Sequence, residues 1–170
     1  METNNHIMGR AMNPFSLSRS TGGSSGGEAG LLGAKCSILS LGTDAAGSLR
    51  NPASFCGVLS YKPASVRVGV ARRHTARKIY TFLGNKSFPS ITGPMARHID
   101  DLVLMTKIQF EPTQNNYKSV DPHHKMFPFN EEIYYSNSKL KIGWIKSLNL
   151  VPACAACQRG VGEAISKLTA

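Results

Sequence analysis

Apolar residues in this chain come in short blocks divided by polar and glycine-rich stretches, and the blocks predict strands alternating with helices. EAGLLGAK (28–35) predicts a short helix that starts in a run of glycines. Glu28 stands in its first turn, where the positive end of the helix dipole favours a carboxylate. CSILSLG (36–42) predicts a buried strand. TDAAGSLRNP (43–52) predicts a tight loop that opens a short helix before Pro52, and FCGVLSYKP (55–63) a second strand ended by Lys62-Pro63. Asp100-Asp101 ahead of LVLM predicts a capped helix. KLKIGWI (139–145) predicts a further strand, and the spacing of Ala155, Val161, Ile165 and Leu168 a helix over 154–168. Between these blocks, residues 1–19 read as polar and irregular, with a turn at Asn13-Pro14. Residues 66–90 read as a basic exposed excursion without a clean period, and 108–138 as a long connection rich in proline and polar runs. Strands alternating with helices argue for an α/β layer structure. No internal repeat is visible, and no apolar run reaches the about 18 residues that a membrane helix needs.

Composition narrows the picture without changing it. With 41% hydrophobic and 18% charged residues, the chain can bury a core, which argues against wholesale disorder. The net charge of +10 opens a class of polyanion or anionic-membrane contacts. METNNHIMGR lacks the apolar core of a secretory signal. The cysteines, Cys36, Cys56, Cys154 and Cys157, therefore read as free thiols in a reducing, intracellular compartment.

The candidate chemistry centres on STGGSSGGE (20–28), where four glycines surround a serine pair. A flexible linker would not run straight into an apolar helix and strand. A GxxxxGK[ST] phosphate loop is absent because no Gly-Lys pair occurs in the chain. The GxSxG pattern of a nucleophile elbow occurs twice, overlapping, but that elbow needs a strand just before it, and NPFSLSRST reads as a poor strand. The glycines themselves permit close backbone approach and unusual dihedrals at Ser24 and Ser25. Farther on, Ala45-Ala46-Gly47-Ser48 offers consecutive amides with little side-chain bulk, a concave donor array for an oxyanion. A serine closing that array, Ser48, can attack a carbonyl while the same amides hold the developing charge. Ser24 can relay its proton, but a stronger base must stand behind Ser24.

GGSSGGE (22–28), LGTDAAGSLRNPASFCG (41–57), YKP (61–63) and TGPMARHIDDL (92–102) resemble the amidase signature family. Within it, NPF (13–15), VDP (120–122), PFNEEIYYS (128–136) and LKIGW (140–144) are similar to the fatty-acid amide hydrolases of animals. The resemblance covers nearly the whole chain and is strongest over 13–63. It implies part of a mixed central β-sheet flanked by helices, incomplete in this chain. It also implies hydrolysis of N-acyl or fatty-acid amides through a Ser–Ser–Lys triad and an acyl-enzyme. Ser48 then matches the nucleophile, and Ser24 the bridging serine, whose peptide bond is cis in the family. The amides of Ala45, Ala46, Gly47 and Ser48 match the oxyanion hole. Ser25 and Arg50 match supporting polar residues, and Asp44 a structural one. Two alanines, Ala45 and Ala46, stand where the family commonly has a larger apolar residue and a glycine. The family's lysine lies upstream on a strand these residues do not include, and the family runs on well past ISKLTA. The chain thus reads as a central fragment, 1–170, of a single amidase domain, inactive alone and poorly soluble through unpaired sheet edges. The resemblance implies no cofactor and a small lipid-amide substrate, with any membrane association carried by parts outside the chain. A glutamine-type amide, as in the amidotransferase relatives, stays open as a substrate.

Other residues weigh less. Cys154-Ala-Ala-Cys157 lacks a second ligand pair for a structural zinc and reads as two small apolar residues on one helix face. His123-His124 reads as exposed loop and not as a metal site. RRHTARK (72–78) lacks an aromatic platform, so it reads as a solvated basic loop, with no nucleic-acid partner expected. The competing function class is a truncated, non-catalytic basic module that binds anionic lipid or nucleic acid.

Overall fold

The expected alternation is present, carried by shorter elements than the apolar blocks suggest. The computed structural model describes residues 1–64, 67–68, 90–111, 127–145 and 151–169. They fall into two units, Met1–Asn130 and Glu131–Ala170.

The first unit begins with two small hairpins where the sequence reads as irregular. β1 (Asn4–Asn5) pairs antiparallel with β2 (Gly9–Arg10), and β3 (Met12–Asn13) with β4 (Ser16–Ser20). Asparagine side chains close both turns by standing in for backbone acceptors. Asn5 Oδ1 accepts the amides of Ile7 (3.0 Å) and Met8 (2.7 Å). Asn13 Oδ1 accepts that of Phe15 at 3.0 Å. Asn13 is also buried, and its Nδ2 donates to the Phe55 carbonyl at 2.9 Å.

Helix α1 (Gly26–Gly33) starts in the glycine cluster, as expected, with Glu28 in its first turn. The strand predicted at 36–42 is shifted: β5 is Leu39–Asp44. Gly42 and Asp44 are buried while Leu41 and Thr43 are exposed, so this strand covers the core with one face only. The strand predicted at 55–63 is largely absent: Phe55 and Cys56 are the end of a helix. α2 spans Arg50–Cys56, with Pro52 in the first turn, where no amide hydrogen is required. Gly57, at φ 62°, ends α2 in the left-handed conformation that glycine adopts without cost. Only β6 (Leu59–Ser60) remains of the strand. β7 (Ile91–Ala96) lies between β5 and β6, antiparallel to both, from Leu39↔Ala96 to Asp44↔Ile91 on one side and Leu59↔Ala96 to Ser60↔Met95 on the other. Helix α3 (Ile99–Phe110) follows, with Asp100 and Asp101 in its first turn. The residue at its cap is His98, extended and without a side-chain hydrogen bond. α3 thus extends into the stretch expected to open a connection.

The core joins α1, α2 and the sheet. Ala29, Leu32, Leu49, Cys56 and Met95 are wholly buried, Ala53 nearly so, and Val58 packs against them. Burying each of the large side chains contributes about 2 kcal/mol.

The second unit holds α4 (Glu131–Tyr134) and α5 (Ala155–Thr169). α5 confirms the helix predicted at 154–168. KLKIGWI forms no strand among the described residues, and Leu140, Ile142, Trp144 and Ile145 are exposed. A strand is held by a hydrogen-bonded neighbour, and no described strand flanks this segment. Cys154 and Cys157 are exposed too, contrary to the apolar face expected of them.

Candidate active site

The glycine cluster is entered directly from β4, so a strand does precede the serine pair. β4 has no buried side chain, and its one apolar residue, Leu17, is exposed, so no hydropathy pattern marks the strand. Gly22 adopts φ 76°, and the Gly23–Ser24 peptide is cis. Two other segments close around these residues. Asn51 Oδ1 accepts the Gly23 amide at 3.2 Å. Thr3 Oγ1 donates to the Gly22 carbonyl at 2.9 Å and accepts the Gly26 amide at 2.9 Å. Side chains at Gly23 and Gly26 would collide with Glu2 backbone and with Thr3 and Thr21. Thr3 and Asn51 went unnoticed in the sequence. Their partners lie about twenty to thirty positions away in the chain, a separation at which no local pattern operates.

Ser25 ties the cluster to the second serine. It is buried, its Oγ accepts the Thr43 amide at 3.1 Å, and its own amide donates to the Ser48 carbonyl at 3.1 Å. Gly42 makes that approach possible: a methyl group there would lie 2.6 Å from Ser25 Oγ and 2.7 Å from Leu49 Cδ2. The segments bearing Ser24 and Ser48 therefore run side by side, with Ser24 exposed and Ser48 half-buried.

Asp44 organises the turn between β5 and α2. The residue is fully buried. Oδ1 accepts the Gly47 amide (2.7 Å) and Arg50 Nη2 (2.9 Å). Oδ2 accepts the amides of Leu49 (3.2 Å) and Arg50 (3.4 Å) and the Arg50 Nε (2.9 Å). Burial alone would raise the Asp44 pKa; the Arg50 guanidinium and the three amides outweigh it and hold the carboxyl well below the usual carboxylate range. The same hydrogen bond raises the Arg50 pKa.

The backbone from Ala45 to Ser48 arches around this carboxylate, with Gly47 at φ 119°. The Gly47 amide is turned into Asp44, so it differs from the other three amides of the expected array. Those of Ala45, Ala46 and Ser48 have no hydrogen-bond acceptor among the described residues. Ser48 Oγ donates to Met1 Sδ at 3.6 Å. No lysine among the described residues is hydrogen-bonded to Ser24 or Ser48. RRHTARK and His123-His124 lie outside the described residues.

An exposed serine thus runs beside a second serine, itself preceded by an arch over an acid–arginine pair. Residues 1–170 match the Amidase family throughout, and the chain belongs to the amidase signature family. It is 34% identical over 169 residues to fatty-acid amide hydrolase 1 of Sus scrofa, covering 99% of this chain and 28% of that protein. It is 36% identical over 162 residues to the vitamin D3 hydroxylase-associated protein of Gallus gallus, covering 95% of this chain and 33% of that one. A solved structure of fatty acid amide hydrolase superposes with a TM-score of 0.77 at 30% identity, over 99% of this chain and 28% of its own. The chain thus spans about a third or less of the length of these relatives.

Proposed function

We propose that this chain is the serine-bearing part of an amidohydrolase that cleaves the carboxamide C–N bond of N-acyl amides, fatty-acid amides foremost. Ser48 is the nucleophile in this reading. Its Oγ attacks the carbonyl carbon, the amides of Ala45, Ala46 and Ser48 stabilise the oxyanion, and collapse expels the amine and leaves an acyl-enzyme. Ser24 bridges Ser48 to the base and carries the proton onward to the leaving nitrogen. The base, a lysine by resemblance, comes from outside these 170 residues. Asp44, Arg50 and Ser25 touch no reacting atom; they hold the arch and the serine pair in place.

The observation that carries the proposal is the arch itself. A buried carboxylate gathers the inner amide of Gly47, while those of Ala46 and Ser48 have no acceptor among the described residues. The test is labelling of the native protein with a serine-reactive fluorophosphonate, alongside the Ser48→Ala variant. Labelling that maps to Ser48 and disappears in the variant supports the assignment; labelling that survives the change sinks it. Release of free amine from long-chain N-acyl amides, against glutamine as competitor, then separates the two substrate classes.

A further inference from the structure

Two thiols outside the serine site form a separate reactive unit. Cys154 and Cys157 are free and exposed. They stand at the start of α5, a helix of 15 residues. Cys154 directly precedes the first helical residue, and its carbonyl accepts the Gln158 amide at 3.0 Å, which makes it the residue at the cap. The first turn that follows carries amide hydrogens with no partner inside the helix, so the Cys154 thiol stands at the positive end of α5. Cys157, three residues on, places its own sulfur 3.4 Å from that of Cys154. A disulfide is about 2.05 Å long, so torsion of the two side chains can close the gap.

The two sulfurs are not equivalent. The backbone and side chain of Cys157 beside it hold the Cys154 thiol below its ordinary range. The N-terminal field of the helix acts in the same direction. Cys157 is pushed up by its side-chain contact with Cys154 and by the charge of that neighbour. One thiol is thus set up to attack, and the other to follow.

We propose that Cys154 and Cys157 form a redox-active dithiol that closes reversibly to a disulfide by exchange with a low-molecular-weight disulfide of the glutathione type. In the first step the Cys154 thiolate attacks one sulfur of that disulfide. A Cys154–glutathione bond forms, the reagent's S–S bond breaks, and one glutathione thiolate leaves. In the second step Cys157 loses its proton to solvent and attacks Cys154 Sγ, and the second glutathione thiolate leaves. The two cysteines are oxidised by two electrons, and one oxidised glutathione becomes two reduced molecules.

The full chain is incubated with oxidised glutathione at neutral pH, quenched with acid, alkylated and mapped by peptide mass spectrometry. The expected product is a Cys154–Cys157 bridge, two hydrogens lighter than the dithiol, that reduced glutathione reopens. Exposed Cys36 serves as reference, and Cys154 reacts about tenfold faster than it. Cys157→Ser accumulates a glutathione adduct at Cys154, and Cys154→Ser slows reaction at Cys157 about tenfold. Equal rates at Cys36 and Cys154 with no bridge overturn the proposal, a result that needs no variant. Identical behaviour of the two serine variants overturns the order of attack.

Discussion

The region from Thr21 to Arg50, which holds the arch, and the helix α5 are both built largely from small residues, but for opposite reasons. In the arch, glycine is imposed by contact. A Cβ at Gly42 would lie 2.6 Å from Ser25 Oγ, and Gly93, its partner across the sheet, is pressed by the Tyr61 carbonyl. In α5, a Cβ added at Gly160 or Gly162 would meet nothing within 4 Å. The ion pairs differ in the same way. Asp44 is buried and receives five hydrogen bonds from three residues. Glu163 meets Arg159 at 3.7 Å with both side chains about two-thirds exposed. What gives a small or charged residue its importance is the number of atoms the fold brings against it. Frequency in the sequence carries little of that information.

The widest gap between the two regions lies in reactivity. In the native protein Ser48→Ala is expected to lower fluorophosphonate labelling about a thousandfold. Ser166→Ala, in α5, leaves labelling unchanged, because the Ser166 hydroxyl only donates to the Gly162 carbonyl one turn back. Equal loss in both would erase the distinction.

Stability comes next. Asp44→Ala leaves the amides of Gly47 and Leu49 and the Arg50 guanidinium without their acceptor, and costs about 3 kcal/mol by urea unfolding. Glu163→Ala leaves the urea midpoint where it was. The same pair sharpens the comparison by pH. The Asp44 pKa is lowered in the folded state, so its contribution is complete above the ordinary carboxylate pKa of about 4 and drains away as pH falls below it. Asp44→Asn should flatten that acid limb, and Glu163→Gln should leave it as steep as before. An acid limb unchanged by Asp44→Asn would show that the arch is held by something else.

The smallest effects carry opposite signs. Gly42→Ala overpacks the contact with Ser25 and Leu49 and destabilises by about 2 kcal/mol. Gly160→Ala meets open space in a helix and stabilises by up to about 1 kcal/mol, seen as a stronger helical circular dichroism signal. Two losses in place of a loss and a gain would break the contrast.

Several features of the arch were legible in the sequence. Glycines around a serine pair and small residues before a second serine state which backbones must approach closely and which amides are unshielded. The spacing of Ser24, Ser25, Asp44, Ser48 and Arg50 identifies the family. Thr3 and Asn51 escaped because a single polar residue has no period and its partners lie far off in the chain. The hairpins at the start escaped for a related reason, since asparagine turns look like irregular polar chain until their acceptors are seen. FCGVLSYKP misled because a short apolar run reads alike for a helix end and a strand, and Gly57 cuts it in two.

By itself, then, the sequence determined the family, the alternation of helix and strand and the helix over 154–168. These follow from composition at fixed spacing, which is local information. The tertiary structure alone decided that β5 shows the core one face, that Gly47 turns its amide toward Asp44 while its neighbours do not, and that two cysteines meant for a packed face meet each other in the open. Each is settled by which atoms share a space, and that depends on contacts between positions the chain keeps far apart.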